Sequence, residues 1–550
     1  MTSQPELLGP DVPPRPYATE GRVPFRLRIG VTGHRTLQDE QRVAQDIAAT
    51  LRRIRAVFAE RSVTPLRFTL FSALAEGADR LAVHEAFAVL GEEVRVEAVL
   101  PRDAGDYMED FGSAASKHEF EELLARASTR EMPAAVSATE GYERAGRFVV
   151  DQSDILLAVW DGEPARGRAG TAEVVAYARS RGRPVVLVET GPQHERPADA
   201  TALGAPLGLD DALASLRLLE RYNAGALDDA PFQRLLAQER GKLDARLADS
   251  PIRAEVERVA AWSLPRFARA EVRALRYQRA YHVLGDLLYL LAALAVTAVA
   301  AQSVFFPEDK TLVGVEIVCL LMVIAVFLAA RVFHVHERWM AHRSLAEAFR
   351  SATFIALTGA RDRREREGTA ELRAYQEPWY QRVFSESWSR RPRAGEAPAD
   401  DGALCRFVTE AWLEEQIGYH RSTARRCRAR HRQITLTVGV LASAALTVAV
   451  LHFLSVGEET NWPKWFTFLA IALPGFGAAV TGIREHRQFR LHGTRSARTA
   501  ERLQRLRDQV QTRVREVSAQ GLAAEIQTII LEESVEWSGV QEFQDLEMVM

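Results

Sequence analysis

Val149-Val-Asp-Gln-Ser-Asp-Ile155-Leu-Leu-Ala-Val-Trp160-Asp-Gly162, followed by Gly167-Arg-Ala-Gly170-Thr171-Ala-Glu173 and Pro184-Val-Val-Leu-Val-Glu189, decides the fold of the N-terminal part of the chain. Ile155 to Trp160 is a short, wholly apolar run closed by Asp161-Gly162. Such a run suits a strand buried on both faces, as in a parallel sheet with helices above and below. Gly170-Thr171 opens a helix whose first-turn amides and hydroxyl favour an anion. Pro184 to Val188 is the next buried strand. Strand, Gly-rich turn, helix and strand predict a ligand crevice at the carboxyl ends of the strands.

The same grammar recurs upstream. Phe25 to Val31 alternates as a strand and ends in Thr32-Gly33-His34-Arg35, before a helix predicted from Asp39 to Glu60. Leu66 to Phe71 delivers Ser72-Ala73-Leu-Ala-Glu76-Gly77-Ala-Asp79, again a small-residue turn entering a helix. Val94 to Leu100 is a third strand, closed by Pro101. Asp103 to Arg130 reads as a surface excursion plus helix, and Tyr142 to Val150 as a further helix. Strands alternating with helices imply a parallel, doubly wound, Rossmann-like α/β domain over 23–191.

Three strands ending in Gly-containing turns converge on one phosphate- or ribose-binding crevice. A blander account is that these glycines only permit tight turns. Likewise, Glu76 and Asp79 could offset a helix dipole, Trp160 could pack in the core, and Asp154 reads as a turn residue. Neither a Walker A pattern nor G-x-G-x-x-G is present, which disfavours P-loop nucleotidases and ordinary dinucleotide dehydrogenases.

The chain has 550 residues and a formal net charge of −3, so bulk charge points to no direct nucleic-acid binding. Cys319, Cys405 and Cys427 are scattered, without metal-ligand or disulfide-framework spacing. Residues 1–22 are Pro-rich and polar, predicting a disordered lead-in without a cleaved signal peptide. Residues 192–263 read as a helical connector, including a helix from Pro231 to Leu247.

Four apolar runs follow: Val283 to Phe306 with Leu312 to Phe333, and Ile434 to Val456 with Trp465 to Ile483. Each is long enough to cross a bilayer as a helix, so an all-α membrane region of two hairpins is expected over 264–358 and 404–550. Arg269, Arg273, Arg276 and Arg279 precede the first run, and Arg421 to Arg432 supplies six arginines before the third. Arg484, Arg487 and Arg490 follow the fourth, whereas the hairpin loops carry acids and one lysine each. By the positive-inside rule both termini lie in the cytoplasm. Anionic lipid accounts for the arginine clusters as a partner.

The hairpins form an internal repeat. Arg276-Tyr-Gln-Arg-Ala-Tyr-His282 parallels Arg426-Cys-Arg-Ala-Arg-His-Arg432, and His336 to His342 parallels His486 to His492. Both copies run in the same direction, unlike an inverted transporter repeat. Between them, 359–403 is read as a charged loop. Inside the runs, Glu316 and Asp286 are the candidate conduction-path acids. His452 reads as interfacial, and Pro474-Gly475 with Gly477 should kink or thin the fourth span.

Ile29-Gly30-Val-Thr32-Gly33-His34-Arg35, Ser72 to Asp79, Asp151 to Asp154 with Val159 to Gly162, and Gly170-Thr171-Ala-Glu173 together resemble the SLOG family of Rossmann-like nucleotide sensors. That family is related to the lonely-guy phosphoribohydrolases and to DNA-processing protein A. The lonely-guy enzymes carry P-G-G-x-G-T-x-x-E. Here Glu173 stands one residue closer to Thr171, and the preceding Pro-Gly-Gly is missing, which disfavours phosphoribohydrolase chemistry while leaving binding intact. The resemblance implies a ligand site of Gly30, Thr32, Gly33, His34, Arg35, Ser72, Ala73, Glu76, Gly77, Asp79, Trp160, Asp161, Gly162, Gly170, Thr171 and Glu173. It implies no catalytic residue, metal or resident cofactor, and a nucleotide-derived ligand such as a cyclic oligonucleotide or an ADP-ribose derivative.

The membrane half resembles the SLATT two-helix effectors of bacterial conflict systems, by its hairpins, cytoplasmic helices and terminal Glu-rich segment with Trp537. The joint expectation is a homo-oligomeric effector in the bacterial inner membrane, with a cytoplasmic sensor and spans that permeabilise the bilayer during antiphage abortive infection. A membrane-tethered enzyme acting on nucleoside monophosphates is the alternative.

Overall fold

The computed structural model describes residues 22–59, 64–132, 137–164, 170–190, 207–224, 229–248, 250–360, 378–392, 400–457, 459–512 and 517–541, with side chains in the last stretch up to Glu533. The lead-in before Arg22, Gly167 and the side chain of Trp537 lie outside the described residues. The chain divides into two compact units. One comprises 1–226 with 367–390, the other 227–366 with 391–550.

The first unit is the α/β domain. Its strands are β1 (Phe25–Gly33), β2 (Leu66–Ser72), β3 (Val94–Leu100), β4 (Ser128–Glu131), β5 (Ile155–Trp160) and β6 (Val185–Glu189). They form one parallel sheet in the order β4-β3-β2-β1-β5-β6. Ile155 to Val159 are all buried, consecutive residues alternating between the two faces, so both faces of β5 are covered. Its helices are α1 (Glu40–Ala59), α2 (Ala78–Leu90), α3 (Ala104–Met108), α4 (Ala114–Ala125), α5 (Ala138–Gln152), α6 (Thr171–Ser180) and α7 (Asp210–Asn223). Leu27, Ile29, Ile47, Leu51 and Phe68 fill the core at 0–1% exposure. Each such side chain contributes about 1.5–3 kcal/mol.

Strand β4 lies inside the stretch read as a surface excursion. Its four residues Ser-Thr-Arg-Glu are all exposed, so no apolar pattern betrays them. They pair with β3, Glu97 opposite Ser128 through Leu100 opposite Glu131. A short, charged edge strand of this kind also resists pairing with another chain.

The reading of 359–403 as loop needs correction. It contains α12 (Trp379–Ser389, the next helix of this unit). Val383, Phe384, Ser387 and Trp388 are buried, a stripe at helical spacing hidden among flanking charged runs. The helix packs on α7, with Trp379 and Tyr222 ring centroids 5.7 Å apart. Two charge clusters fasten it to the sheet. Arg26 Nε donates to Glu386 at 2.7 Å. Arg382 donates to both oxygens of Asp154, at 3.0 and 2.6 Å, while the backbone N–H of Arg28 donates to the same carboxylate at 2.9 Å.

The second unit is helical: α8 (Ala230–Arg246), α9 (Arg253–Phe305), α10 (Thr311–Val332), α11 (Val335–Thr358), α13 (Asp401–Val408), α14 (Glu414–Phe453), α15 (Trp462–Arg487), α16 (Phe489–Thr512) and α17 (Ala519–Gln541). A π-helical turn, Thr409–Leu413, joins α13 to α14. Among the described residues four helices are long and apolar enough to cross a membrane, and each covers all or nearly all of one predicted run. The basic segment before each hairpin is continuous with its first span, in α9 and in α14. Pro474 lies within α15, which continues through it as one helix.

The two hairpins pack in the same pattern. α9 packs with α10 and α11, and α14 packs with α15 and α16. Each second span ends at a non-glycine residue in the left-handed region, His334 with φ 46° and Gln488 with φ 46°. Below the first hairpin, His342 stacks flat on Tyr277 with centroids 5.6 Å apart, and burial pushes its pKa down to about 3, so the ring is neutral. Ser263 and Thr353 share a buried hydroxyl bond of 2.8 Å across α9 and α11.

Candidate functional site

The sheet order reverses between β1 and β5. The chain moves outward from β1 to β4, then returns to the other side of β1. At the carboxyl ends of these strands lies a cleft of about 970 Å³. This is where a parallel α/β sheet leaves room for a ligand, because the loops of adjacent strands diverge to opposite faces.

Three loops build it. After β1, the His34 N–H donates to the Val159 carbonyl at 3.1 Å, and the His34 carbonyl accepts from Ala78 N at 3.0 Å. The turn is thereby clamped between the end of β5 and the start of α2. Gly33 is a packing requirement as well as a turn residue: a Cβ there would lie 2.4 Å from that of Ala78 and 2.9 Å from the Val159 carbonyl oxygen. A Gly33→Trp substitution therefore strikes the fold before it reaches any ligand. Arg35, exposed at the rim, places its guanidinium 5.2 Å from the Tyr142 ring centroid.

After β2, Asp79 folds back over its own loop. It accepts from Ser72 Oγ at 3.0 Å and from Ala73 N at 2.9 Å, and Ser72 Oγ accepts from Leu74 N at 3.0 Å. These bonds hold Leu74 at φ 54°, an uncommon conformation for a non-glycine residue. The adjacent Arg80, 3% exposed, donates to the Leu74 carbonyl at 3.0 Å, to Ser116 and to Glu119, under the ring of Phe111.

After β5, Asp161 Oδ1 accepts from Glu163 N at 3.0 Å, Gly162 takes φ 82°, and Trp160 Nε1 donates to the Glu163 carbonyl at 3.1 Å. His34 Nε2 faces both Asp161 N, at 3.2 Å, and Asp161 Oδ1, at 3.1 Å. The neutral ring accepts the first contact when its proton is on Nδ1, and the imidazolium favours the second. Gly170, Thr171 and Ala172 bring the start of α6 to the cleft. Among the described residues no side chain caps that helix, which leaves the amides of Thr171 and Ala172 as the ones suited to an anion.

Of the residues singled out from sequence, Thr32, Gly33, His34, Arg35, Ala73, Asp79, Trp160, Asp161, Gly170 and Thr171 line the cleft. Gly30, Ser72, Glu76, Gly77, Gly162 and Glu173 are not part of its lining. Gly30 is buried where a Cβ would meet Ser153 Oγ at 2.4 Å. Ser72 positions Asp79. Glu76 bonds Ser116 Oγ on α4. Glu173 is exposed on the first turn of α6. Asp286 pairs with Arg487, Nε donating to Oδ1 at 3.2 Å across α9 and α15. Glu316 is half-buried near the start of α10.

Sequence reasoning missed Tyr107 and Tyr142, both in the lining. Tyr107 is 0% exposed, and its hydroxyl has no hydrogen-bond partner among the described residues. A buried hydroxyl without a partner costs about 1–3 kcal/mol, which a ligand acceptor or donor would relieve. Tyr107 comes from the short helix α3, whose signal is the aromatic set Tyr107, Phe111 and Phe120 rather than any glycine motif.

Burial raises the pKa of Asp79 to about 6, against bonds from Ser72 and Ala73 that lower it. Above pH 6 the folded and unfolded states are both ionised, and the buried charge exerts its full destabilisation. As pH falls from 6 to 4 the folded state takes up the proton first, so stability rises. Asp79→Asn keeps an acceptor for Ser72 and Ala73 and is expected to stabilise the protein at pH 7 by up to about 3 kcal/mol. That advantage should shrink toward zero by pH 4, as read from paired denaturation curves of the full chain in detergent. A pH-independent difference would show that the carboxyl is not the titrating group.

Comparison with known families bears on the membrane half. Residues 409–537 match SLATT_1, described as SMODS and SLOG-associating 2TM effector domain 1. The matched stretch runs from the π-helical turn through α14, α15 and α16 into α17. No curated protein matches the chain.

Proposed function

We propose that the N-terminal unit senses a nucleotide-derived signal in the cleft and that the four spans respond by permeabilising the bacterial inner membrane, in a defence response of the abortive-infection kind. The observation that carries this reading is the cleft at the strand-order reversal, with an uncapped helix start and Arg35 on its walls, in one chain with a two-span effector-type domain. An uncapped helix start and a guanidinium suit a phosphate. Trp160, Tyr107 and Tyr142 offer aromatic surface and hydroxyls for a base and sugar. Cyclic oligonucleotides and ADP-ribose derivatives both combine these groups. Glu173, the acid of the phosphoribohydrolase pattern, is exposed and outside the cleft lining, which favours binding over turnover.

A ligand moves the membrane region only if it binds one state better than the other. A shift from about 1% to 99% active needs about 5.5 kcal/mol of differential affinity. Both chain ends and the α/β unit belong on the cytoplasmic side in this reading, where the arginine-rich flanks lie.

The test uses the full chain in proteoliposomes loaded with a fluorescent dye. Cyclic di- and trinucleotides and ADP-ribose are added in turn at the face carrying the α/β unit. At least one should bind in calorimetry and release dye, and Arg35→Ala and Thr171→Ala should each weaken that binding about 5- to 160-fold, the equivalent of about 1–3 kcal/mol. Equal leak without any addition would sink the gated reading. So would saturating binding without leak.

A further inference from the structure

The cleft wall holds two tyrosines, and among the described residues only one has its hydroxyl engaged. Tyr142 donates to Asp110, which pairs with Arg102 at 2.5 Å, and it accepts from Arg35. That chain commits the Tyr142 hydroxyl to holding the Arg35 guanidinium at the rim. Tyr107 stands beside it, ring centroids 6.0 Å apart, at 0% exposure. Its ring is set edge-on against Phe111 and Phe120, at 5.1 and 5.7 Å, which fixes it in place. Burial and the neighbouring charge of Asp79 both raise the Tyr107 pKa, so at neutral pH the hydroxyl keeps its proton and is a donor.

Asp79 lines the same cleft. An ionised carboxylate has about four acceptor sites. Ser72 Oγ and Ala73 N fill two of them at Oδ2, at 3.0 and 2.9 Å, and the backbone N–H of Ala75 fills a third. One is left open. The carboxyl titrates at about 6, so at pH 7 it is mostly ionised.

An open donor and an open acceptor on one wall restrict what can sit against them. A phosphate oxygen would satisfy Tyr107, but it would bring a second anion to a buried carboxylate, and like charges there oppose each other. A carbonyl oxygen accepts from Tyr107 and has no hydrogen for Asp79. An amino group donates to Asp79 and leaves Tyr107 unpaired. A hydroxyl serves both with one atom. In a nucleotide the hydroxyls are those of the ribose. We propose that Tyr107 and Asp79 together read one ribose hydroxyl of the ligand, the tyrosine donating to its oxygen and the carboxylate accepting its hydrogen, so that the cleft selects ribonucleotides over deoxyribonucleotides.

This inference rests on the cleft being a nucleotide site, and it narrows the ligand to one with a free ribose hydroxyl. The selectivity follows from the groups left unmet. A ligand without that hydroxyl leaves Tyr107 unpaired in a buried wall. Sites built to bond a hydroxyl reject the analogue lacking it far more strongly than apolar pockets reject a missing methylene. Nucleotides released from DNA are then excluded, although they carry phosphates and bases of the same kind. The Tyr107 signal is a ligand signal for a second reason: a hydroxyl without a partner weakens the empty protein, so the fold gains nothing from it.

The test is calorimetry on the full chain in detergent at pH 7. The probes are cyclic di-AMP, cyclic tri-AMP and ADP-ribose, each beside analogues that lack its ribose hydroxyls one at a time. At least one deletion should weaken binding about 10- to 100-fold. Tyr107→Phe should bring the parent probe down to the affinity of that analogue and leave the affinity of the analogue unchanged. It should also denature no earlier than wild type when unliganded, which loss of a structural hydrogen bond would not allow. Asp79→Asn, which offers N–H groups where the carboxylate accepted, should reduce the same discrimination. Equal affinity for the parents and all their deoxy analogues overturns the inference and leaves the nucleotide reading standing. Discrimination that survives in Tyr107→Phe or in Asp79→Asn also overturns it, as does earlier denaturation of unliganded Tyr107→Phe. Binding of none of the parents removes the inference and the nucleotide reading together.

Discussion

Asp154→Ala is expected to destabilise the N-terminal unit by about 3–5 kcal/mol, because it strips the shared anion from two cations held in a mostly buried site. The Asp154 side chain is 4% exposed, that of Arg28 14% and that of Arg382 16%. Burial alone would raise the Asp154 pKa, but Arg28 and Arg382 hold its carboxyl well below the usual carboxylate range. A depressed folded-state pKa contributes stability that is complete above the unfolded value, near 4, and is lost only as pH falls below it through the folded value. The loss should therefore be the same at pH 6 and pH 8. Arg382→Ala, which leaves Asp154 paired with Arg28, should cost less and should expose α12 first. Pulse proteolysis of the full chain in detergent reads both effects. Wild-type resistance in Asp154→Ala would mean that α12 does not dock through this carboxylate.

Gly77→Ala is the second large effect, about 2–6 kcal/mol. Gly77 sits at φ 78°, ψ −121°, outside the regions open to L-residues, and such strain costs about 1–3 kcal/mol. A Cβ there would also lie 2.3 Å from the Arg35 carbonyl oxygen, and relieving an overlap of that kind costs about another 1–3 kcal/mol. The colliding atoms are the backbone of the very turn that presents His34 and Arg35 to the cleft. The substitution should thus lower stability and disorder the cleft together, seen as faster hydrogen exchange at Gly33 to Thr36. Normal exchange there with unchanged stability would show that the turn has room the geometry denies it.

The two variants separate two kinds of glycine and acid that look alike in a sequence. In the sequence Gly33, Gly77 and Gly170 all point to one crevice. Gly170 does open a helix facing the cleft, Gly77 lies under the cleft as a turn residue, and Gly33 does both. Asp79 and Asp154 both precede or open apolar elements. One lies over the cleft with a raised pKa, and the other is the fastening point of a distant helix.

Elements whose apolar pattern is local were legible from the chain itself. The central strands, the turns at their carboxyl ends and the four spans all rest on periodicities and small-residue spacings within about 20 residues. Burial on two faces or crossing a bilayer imposes those patterns directly. Strand β4 and α12 were not legible. The first is an exposed edge strand held by backbone bonds that any sequence can make, and the second is an amphipathic helix of about three turns inside a charged run. The Asp154–Arg382 pair joins residues 228 apart in the chain, and no local pattern announces such a partner. Tyr107 likewise becomes a cleft residue only because α3 folds back beside Asp79. Sequence determined which central segments are buried and where a cleft opens, since burial writes itself into hydrophobic spacing. Tertiary structure alone decided which polar groups meet there, because a charge or hydroxyl carries no record in the chain of the distant group that satisfies it.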